Sequence, residues 1–180
     1  MLRDEAGRSH LIWADRRSTL RLQATVRSGV ARNYWWVNQG RTFADERRGG
    51  YLWAPKRAPN GQTKNFWSRM TEVEVGDLVF HYSRKHVVAL GRADTAAYDA
   101  LLPREFPSDA WGHDGWRIDV TYGQLADPIA LDEIPSLWRE GTKEEPFDIR
   151  GAVKQGYLYP LSDTFAFEMF DLFGERLPYL

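Results

Sequence analysis

The chain has 180 residues, 43% hydrophobic and 27% charged, with a formal net charge of −1, a balance that suits one soluble globular domain with or without an extension. It contains no cysteine, which excludes disulfides and thiolate metal sites and allows a reducing compartment. No apolar run approaches a membrane span, and the opening MLRDEAGRSH lacks the apolar core of a signal peptide, so a cytoplasmic protein without a membrane partner is expected.

Charge is divided unevenly along the chain. Residues 1–70 carry 14 Lys and Arg against 5 Asp and Glu, whereas residues 71–180 carry 10 against 20. Such a split suits a cationic face directed at a polyanion, with an acidic remainder that keeps the protein soluble. It equally allows the two halves to interleave in space and cancel.

Residues 1–32 hold seven arginines and no clean apolar period, and read as a basic extension or arm before a domain over 33–180. The domain opens with YWWV, a buried strand ending in the polar Asn38-Gln39-Gly40. Alternation places Tyr34, Trp36 and Asn38 on one face and Trp35 and Val37 on the other. Thr42 and Asp45 are spaced as a capping box and Gly49-Gly50 supplies a stop, which predicts a short helix between them. YLWA is a short strand halted by Pro55, RAPNGQ at 57–62 is a loop, and TKNFWSRM predicts a second short helix with Thr63 as its cap.

From Glu72 the period becomes two. GDLVFHYS and HVVALGRA form a β-hairpin turned by Arg84-Lys85. Residues 94–115 read as a long loop that contains Trp111, and loops of that length are often functional. GWRIDVTYG is a further strand, and Ile129 to Trp138 gives a helical turn or two. The stretch EEPFDIRGAVKQGYLYPL is irregular. Ser162 to Phe173 predicts a terminal amphipathic helix with Phe165, Met169, Leu172 and Phe173 on one face and Gly174 at its end.

The stretch from Asn33 to Met70 concentrates chemistry. It sets Tyr34, Trp35, Trp36, Tyr51, Trp53, Phe66 and Trp67 among Arg41, Arg47, Arg48, Lys56, Arg57, Lys64 and Arg69. Flat π-faces interleaved with cations suit a planar anionic ligand, and a nucleic acid is both. The alternative is an aromatic core with solvated charges between its members. Catalytic motifs are missing: the four histidines make no HxxxH or HExxH pair, and no GxSxG or phosphate-binding glycine loop occurs. Neither an enzymatic role nor a metal or other cofactor is expected.

Read in order, YWWVNQG, GGYLWAPK, NFWSRM, VGDLVFHYS, VVALGRA and GWRIDVTY resemble the EVE domain, over about residues 33–175. EVE belongs to the PUA-like superfamily, which also contains the YTH readers of methylated adenine. The usual EVE opening ends in Lys-Ser-Glu-Pro where this chain has Asn38-Gln39-Gly40-Arg41, and the usual Trp-Asp-Gly-Val-Arg-Asn turn is Trp53-Ala54-Pro55-Lys56 here. This variant is similar to the EVE modules attached to modification-dependent restriction nucleases. The resemblance implies an α+β, PUA-like fold: a mixed, mostly antiparallel β-barrel of five or six strands with short flanking helices. It further implies recognition of 5-methylcytosine or 5-hydroxymethylcytosine in DNA by flipping the base into an aromatic pocket, with a nuclease domain or subunit as a partner. Modified RNA, or a small molecule bound or transformed in the same pocket, stays open as an alternative.

Carried over residue by residue, the resemblance makes Trp53 the pocket tryptophan, with a core tryptophan on a short strand as its alternative. Asn38 and Gln39 stand at the pocket mouth, where amides could bond a base edge; the alternative is a strand-end turn. Tyr82 and Ser83 form the wall, Trp111 supplies a second cage face from its loop, and Trp36 is a further pocket candidate because it shares a face with Asn38. Trp35, Phe66 and Phe80 belong to the core. Arg41, Lys56, Arg57, Lys64, Arg84 and Lys85 would hold phosphates.

Overall fold

A computed structural model of the chain describes residues 32–106, 112–139, 141–142 and 144–180. Trp111 and the expected arm, apart from Arg32, lie outside the described residues. The remainder is a mixed α+β domain built on one mostly antiparallel sheet, as the sequence predicts.

Seven strands and three short helices follow one another. They are β1 (Tyr34–Asn38), α1 (Phe43–Gly49), β2 (Tyr51–Pro55), α2 (Asn65–Ser68), β3 (Leu78–Ser83), β4 (His86–Ala93), β5 (Tyr98–Leu101), β6 (Asp114–Ala130), β7 (Leu158–Leu161) and α3 (Asp163–Phe173). The strand order is β2-β6-β4-β3-β1-β7, with β5 also paired to β6. The single parallel pair in this order is β1 with β3, in a register that sets Asn38 opposite Tyr82. Strand β6, 17 residues long, holds the sheet together: its first part pairs β2 on one edge and β5 on the other, and its later part pairs β4.

The alternation read in YWWV governs packing. Tyr34 and Trp36 join Leu78, Phe80 and the buried side of α3 in one apolar cluster. Trp35 and Val37 join Leu52 and Ala54 of β2 and Leu158 of β7 in another. Strands β2 and β7 stand at opposite ends of the strand order, so a shared cluster requires the sheet to curl around it. The third cluster is small: Tyr51, Trp53 and Phe106. Pro55 is tolerated because β2 is an edge strand, where its missing N–H breaks no ladder.

Several local expectations change in detail. Thr42 precedes α1 but its side chain does not cap the helix; the hydroxyl donates instead to the Gln39 carbonyl (2.7 Å) and to the Glu46 carboxylate (3.0 Å). Gly50 does close α1 in the left-handed conformation, at φ 67°. Lys64, not Thr63, occupies the N-cap position of α2. The 94–115 segment contributes β5, and the irregular stretch before α3 ends in β7. In α3, Ser162 Oγ accepts from the Phe165 amide (3.3 Å), and the buried arc runs through Phe165, Met169 and Phe173 to Ala166. Leu172 falls at the rim of that arc and is 53% exposed. Among the described residues no helix is long and apolar enough to cross a membrane.

Two irregularities matter for the surface. Between β3 and β4 the register shifts so that Tyr82 faces Val87 and His81 faces Ala89, which leaves Val88 unpaired. On its other side, β4 passes from Val87 opposite Ile129 to Ala89 opposite Gln124, so residues 125–128 of β6 bulge out at the same place. Bulges of this kind re-aim side chains and break up a flat sheet.

Candidate functional site

A cleft of about 1020 Å³ opens where the end of β1, the β3–β4 turn and the segment 152–157 ahead of β7 converge. That size lies at the upper end of about 300–1,000 Å³ for ligand sites. Because β1 and β3 run parallel side by side, their ends bring Asn38, Gln39, Tyr82 and Ser83 to one wall. Arg41, Arg84 and Lys85, together with Arg139 and Lys154, line the remainder, and among the described residues Asp132 is the one acidic residue in the lining.

The amides at the mouth are already committed. Asn38 Nδ2 donates to the Lys154 and Gly156 carbonyls (3.0 and 2.6 Å), while its Oδ1 accepts from the Trp36 indole (2.9 Å). Gln39 is 2% exposed; its Nε2 donates to the Glu46 carboxylate and to the Tyr122 hydroxyl (2.9 Å), and its Oε1 bonds His81 Nδ1 (2.7 Å). Neither amide keeps a donor for a ligand, contrary to the expectation that they bond a base edge. They fix the cleft's floor and the strap at 154–156.

Beneath Gln39 lies a buried polar network. Glu46 of α1 accepts bonds from Gln39, Thr42, the Tyr157 hydroxyl and the backbone amide of Trp53 (3.2 Å for the last). Burial nevertheless pushes its carboxyl up to about 7, outweighing those four bonds. Burial drives the His81 imidazole down to about 3, which keeps it neutral. With Gln39 Oε1 as acceptor, His81 Nδ1 carries the proton and Nε2 is left without a partner. Among the described residues no group of three His, Cys, Asp or Glu could hold a metal.

What the cleft offers a ligand is a ring, a few polar groups and cations. The half-buried Tyr82 ring is backed by the fully buried Trp36, with centroids 5.0 Å apart and a 33° tilt. Trp36 thus supports the face without lining it. Burial raises the Tyr82 hydroxyl pKa, partly opposed by Arg139, so the group stays a neutral donor. Gln155 stands exposed on the opposite wall. Ser83 Oγ is used on the Gly40 carbonyl (2.9 Å). Arg139 is tied to the Ile134 and Gly151 carbonyls (3.1 and 2.8 Å) and Lys154 to those of Thr142 and Glu145 (2.7 Å each). Arg41, Arg84 and Lys85 are exposed and form no ion pair among the described residues.

The other predicted site residues stand elsewhere. Trp53 is fully buried, edge-on to Phe106 (5.9 Å) with its indole N–H on the Ala100 carbonyl (3.3 Å). It points away from the cleft because alternation in β2 puts Leu52 and Ala54 in the main interior and Trp53 under the 102–106 segment. Lys56 pairs with Asp99 (2.8 Å) and lies 4.2 Å over the Trp116 ring. Arg57 and Lys64 belong to the 56–64 loop and do not reach the cleft. Arg139, Lys154 and Gln155 carried no motif, and only the topology brings them to β1.

No family model matches the sequence, and no curated protein matches it. Solved structures do resemble the fold. A hypothetical protein from Leishmania major matches with TM-score 0.50 and 12% identity over 81% of this chain and 96% of that one. The Pho92 YTH domain, solved in complex with m6A, matches with TM-score 0.47 and 9% identity over 79% and 86%. The DUF55 domain of human thymocyte nuclear protein 1 matches with TM-score 0.45 and 12% identity over 77% and 99%. At such identities the likeness is one of fold.

Proposed function

We propose that this domain is a non-catalytic, PUA-like reader of nucleic acid that receives a modified base in the cleft between β1, the β3–β4 turn and residues 152–157. The observation that carries the reading is the pairing, in one cleft, of an open aromatic face at Tyr82 with Arg41, Arg84 and Lys85, none of which has an acidic partner among the described residues. A cation left unpaired at a concave, partly apolar site suits a phosphate, and a ring backed by a second ring suits a stacked base. The EVE-like motifs favour 5-methylcytosine or 5-hydroxymethylcytosine in DNA over other bases.

The energetics are coherent. Extruding a base from a duplex costs a few kcal/mol. Stacking returns roughly 1–3 kcal/mol, phosphate contacts add salt-dependent affinity, and a fitted C5 substituent adds about 1–3 kcal/mol. Asn38 and Gln39 serve as positioning residues, while Gln155 and the strap backbone take the polar edge of the base.

Titrating labelled duplex DNA with and without one 5-methylcytosine, alongside single-stranded RNA, tests this directly. The modified duplex should bind best, and Tyr82→Ala should lower its binding by about 1–3 kcal/mol while weak binding to unmodified DNA persists. Equal affinity for both duplexes, with RNA preferred, would replace DNA reading by RNA reading. Unchanged binding in a folded Tyr82→Ala variant would remove the cleft from the account.

A further inference from the structure

A second recess, of about 640 Å³, lies next to the cleft. Gly40, Arg41, Ser83, Arg84 and His86 line both hollows, so the two are separated by a narrow ridge crowned by exposed cations. The far side of the recess is built by the two sheet irregularities described above. Unpaired Val88 reaches it from β4, and the β6 bulge supplies Asp127 and Pro128. That bulge is held rigid by Arg176, which donates to the Asp127 and Pro128 carbonyls (3.2 and 2.6 Å) and pairs with the Asp127 carboxylate (2.9 Å). Arg176 also pairs with Glu133 (2.7 Å), so it offsets only part of the negative charge on this far side of the recess, across from Arg41 and Arg84.

Phe43 supplies the flat surface. Its ring is half-buried at the start of α1 and is anchored from behind by Tyr122 and His81, with centroids 6.3 and 6.4 Å away. The recess thus resembles the cleft in composition: an aromatic ring backed by the half-buried Tyr122 and the buried His81, an apolar wall, and access to Arg41 and Arg84. Two such hollows that share cationic lining suit a nucleic-acid strand, in which neighbouring bases are joined by one phosphate. A lone nucleotide would use one hollow and one side of the ridge.

We propose that the recess is a second base subsite, which takes the nucleotide adjacent to the one in the cleft and stacks it on Phe43. The phosphate between the two lies on Arg41 and Arg84, so the domain engages a dinucleotide. This rests on the nucleic-acid reading of the cleft.

The test uses the whole chain and single-stranded DNA nine-mers with one central 5-methylcytosine, intact or with an abasic residue on its 5′ or its 3′ side. For the wild-type protein, one of the two abasic strands should bind about tenfold or more weakly than the intact strand, the effect of losing one stacked base. Phe43→Leu keeps an apolar side chain against Tyr122 and His81 but removes the flat face, so it should weaken the intact strand similarly and lose nothing more on that abasic strand. Ala44→Glu, at an exposed position lining the recess, should weaken intact strands and leave the isolated 5-methylcytidine monophosphate unaffected. If the intact strand binds but neither abasic substitution matters, or if Phe43→Leu retains the wild-type abasic penalty, the subsite is refuted while the cleft reading stands. If the wild type binds the modified duplex but no single strand, the subsite is refuted; if it binds neither these strands, their RNA counterparts nor the modified duplex, the cleft reading itself fails and the subsite with it.

Discussion

Two regions of this domain hold the same ingredients and behave oppositely. Around Trp53, the rings of Tyr51, Trp53 and Phe106 pack on one another, Arg117 lies 4.4 Å over the Tyr51 ring and also pairs with Asp119, and Lys56 is paired with Asp99. Around Tyr82, a ring lies half open and Arg41, Arg84 and Lys85 stand without acids among the described residues. Both regions read as aromatic and cationic in sequence. What separates them is saturation: in the first, ring faces and charges are used up internally, and in the second they remain available to a ligand. Saturated groups contribute to stability, and open ones to binding.

The largest effect expected from this contrast is in the closed region. Gly115 is the reason the Trp53 indole fits over β6, since a Cβ there would meet the ring at 2.2 Å. Trp53→Ala should cost about 3–5 kcal/mol of stability, seen in chemical denaturation, with modified and unmodified DNA losing binding together. A variant that melts normally yet loses only the preference for the modified duplex would put Trp53 back in the site.

Glu46 joins the two regions, because it bonds Gln39 under the cleft and the Trp53 amide in the closed cluster. Its carboxyl is raised from 4.5 to about 7 in the fold, so the native state favours the protonated form. Its stabilising contribution is complete below about pH 4.5 and is lost as pH rises through about 7, a change on the order of 3 kcal/mol. Urea denaturation across that range should show wild-type stability falling with pH and Glu46→Gln flattening the trend. Parallel curves for the two proteins would mean the raised carboxyl is wrong.

The smallest effect concerns the lip. Arg84 and Lys85 both adopt left-handed conformations, φ 50° and 66°, in a tight turn that Asn-Gly fits better. Replacing them by Arg84→Asn with Lys85→Gly should stabilise the fold by about 1 kcal/mol and weaken DNA binding. A gain in stability with no loss of binding would show that the two cations are idle.

Much of the architecture was legible because its causes are local. Alternation in YWWV sorted Trp35 from Trp36 onto opposite faces, period two drew the hairpin around Arg84-Lys85, and Ser162 announced α3. The site was legible only in part. Asn38, Gln39, Tyr82 and Ser83 come together because β1 and β3 pair in parallel, but sequence could not show that both amides are spent on internal bonds. Trp53 misleads because period two in a short edge strand does not say which side faces the interior. The charge split misleads too: Arg84, Lys85, Arg139 and Lys154 come from the acidic part of the chain, and topology alone gathers them beside Arg41.

The claim that the cleft, and not the aromatic and basic 51–64 stretch, binds the polyanion is tested most directly by comparing two triple charge reversals. Affinity for the modified duplex would be measured as a function of salt for Arg41→Glu with Arg84→Glu and Lys85→Glu, and for Lys56→Glu with Arg57→Glu and Lys64→Glu. Each lost phosphate contact lowers the slope of log affinity against log salt by about 1. The cleft triple should therefore flatten the slope by about 3 and abolish tight binding, with the loop triple close to wild type. A flattened slope in the loop triple, beside a cleft triple that binds normally, would contradict the account.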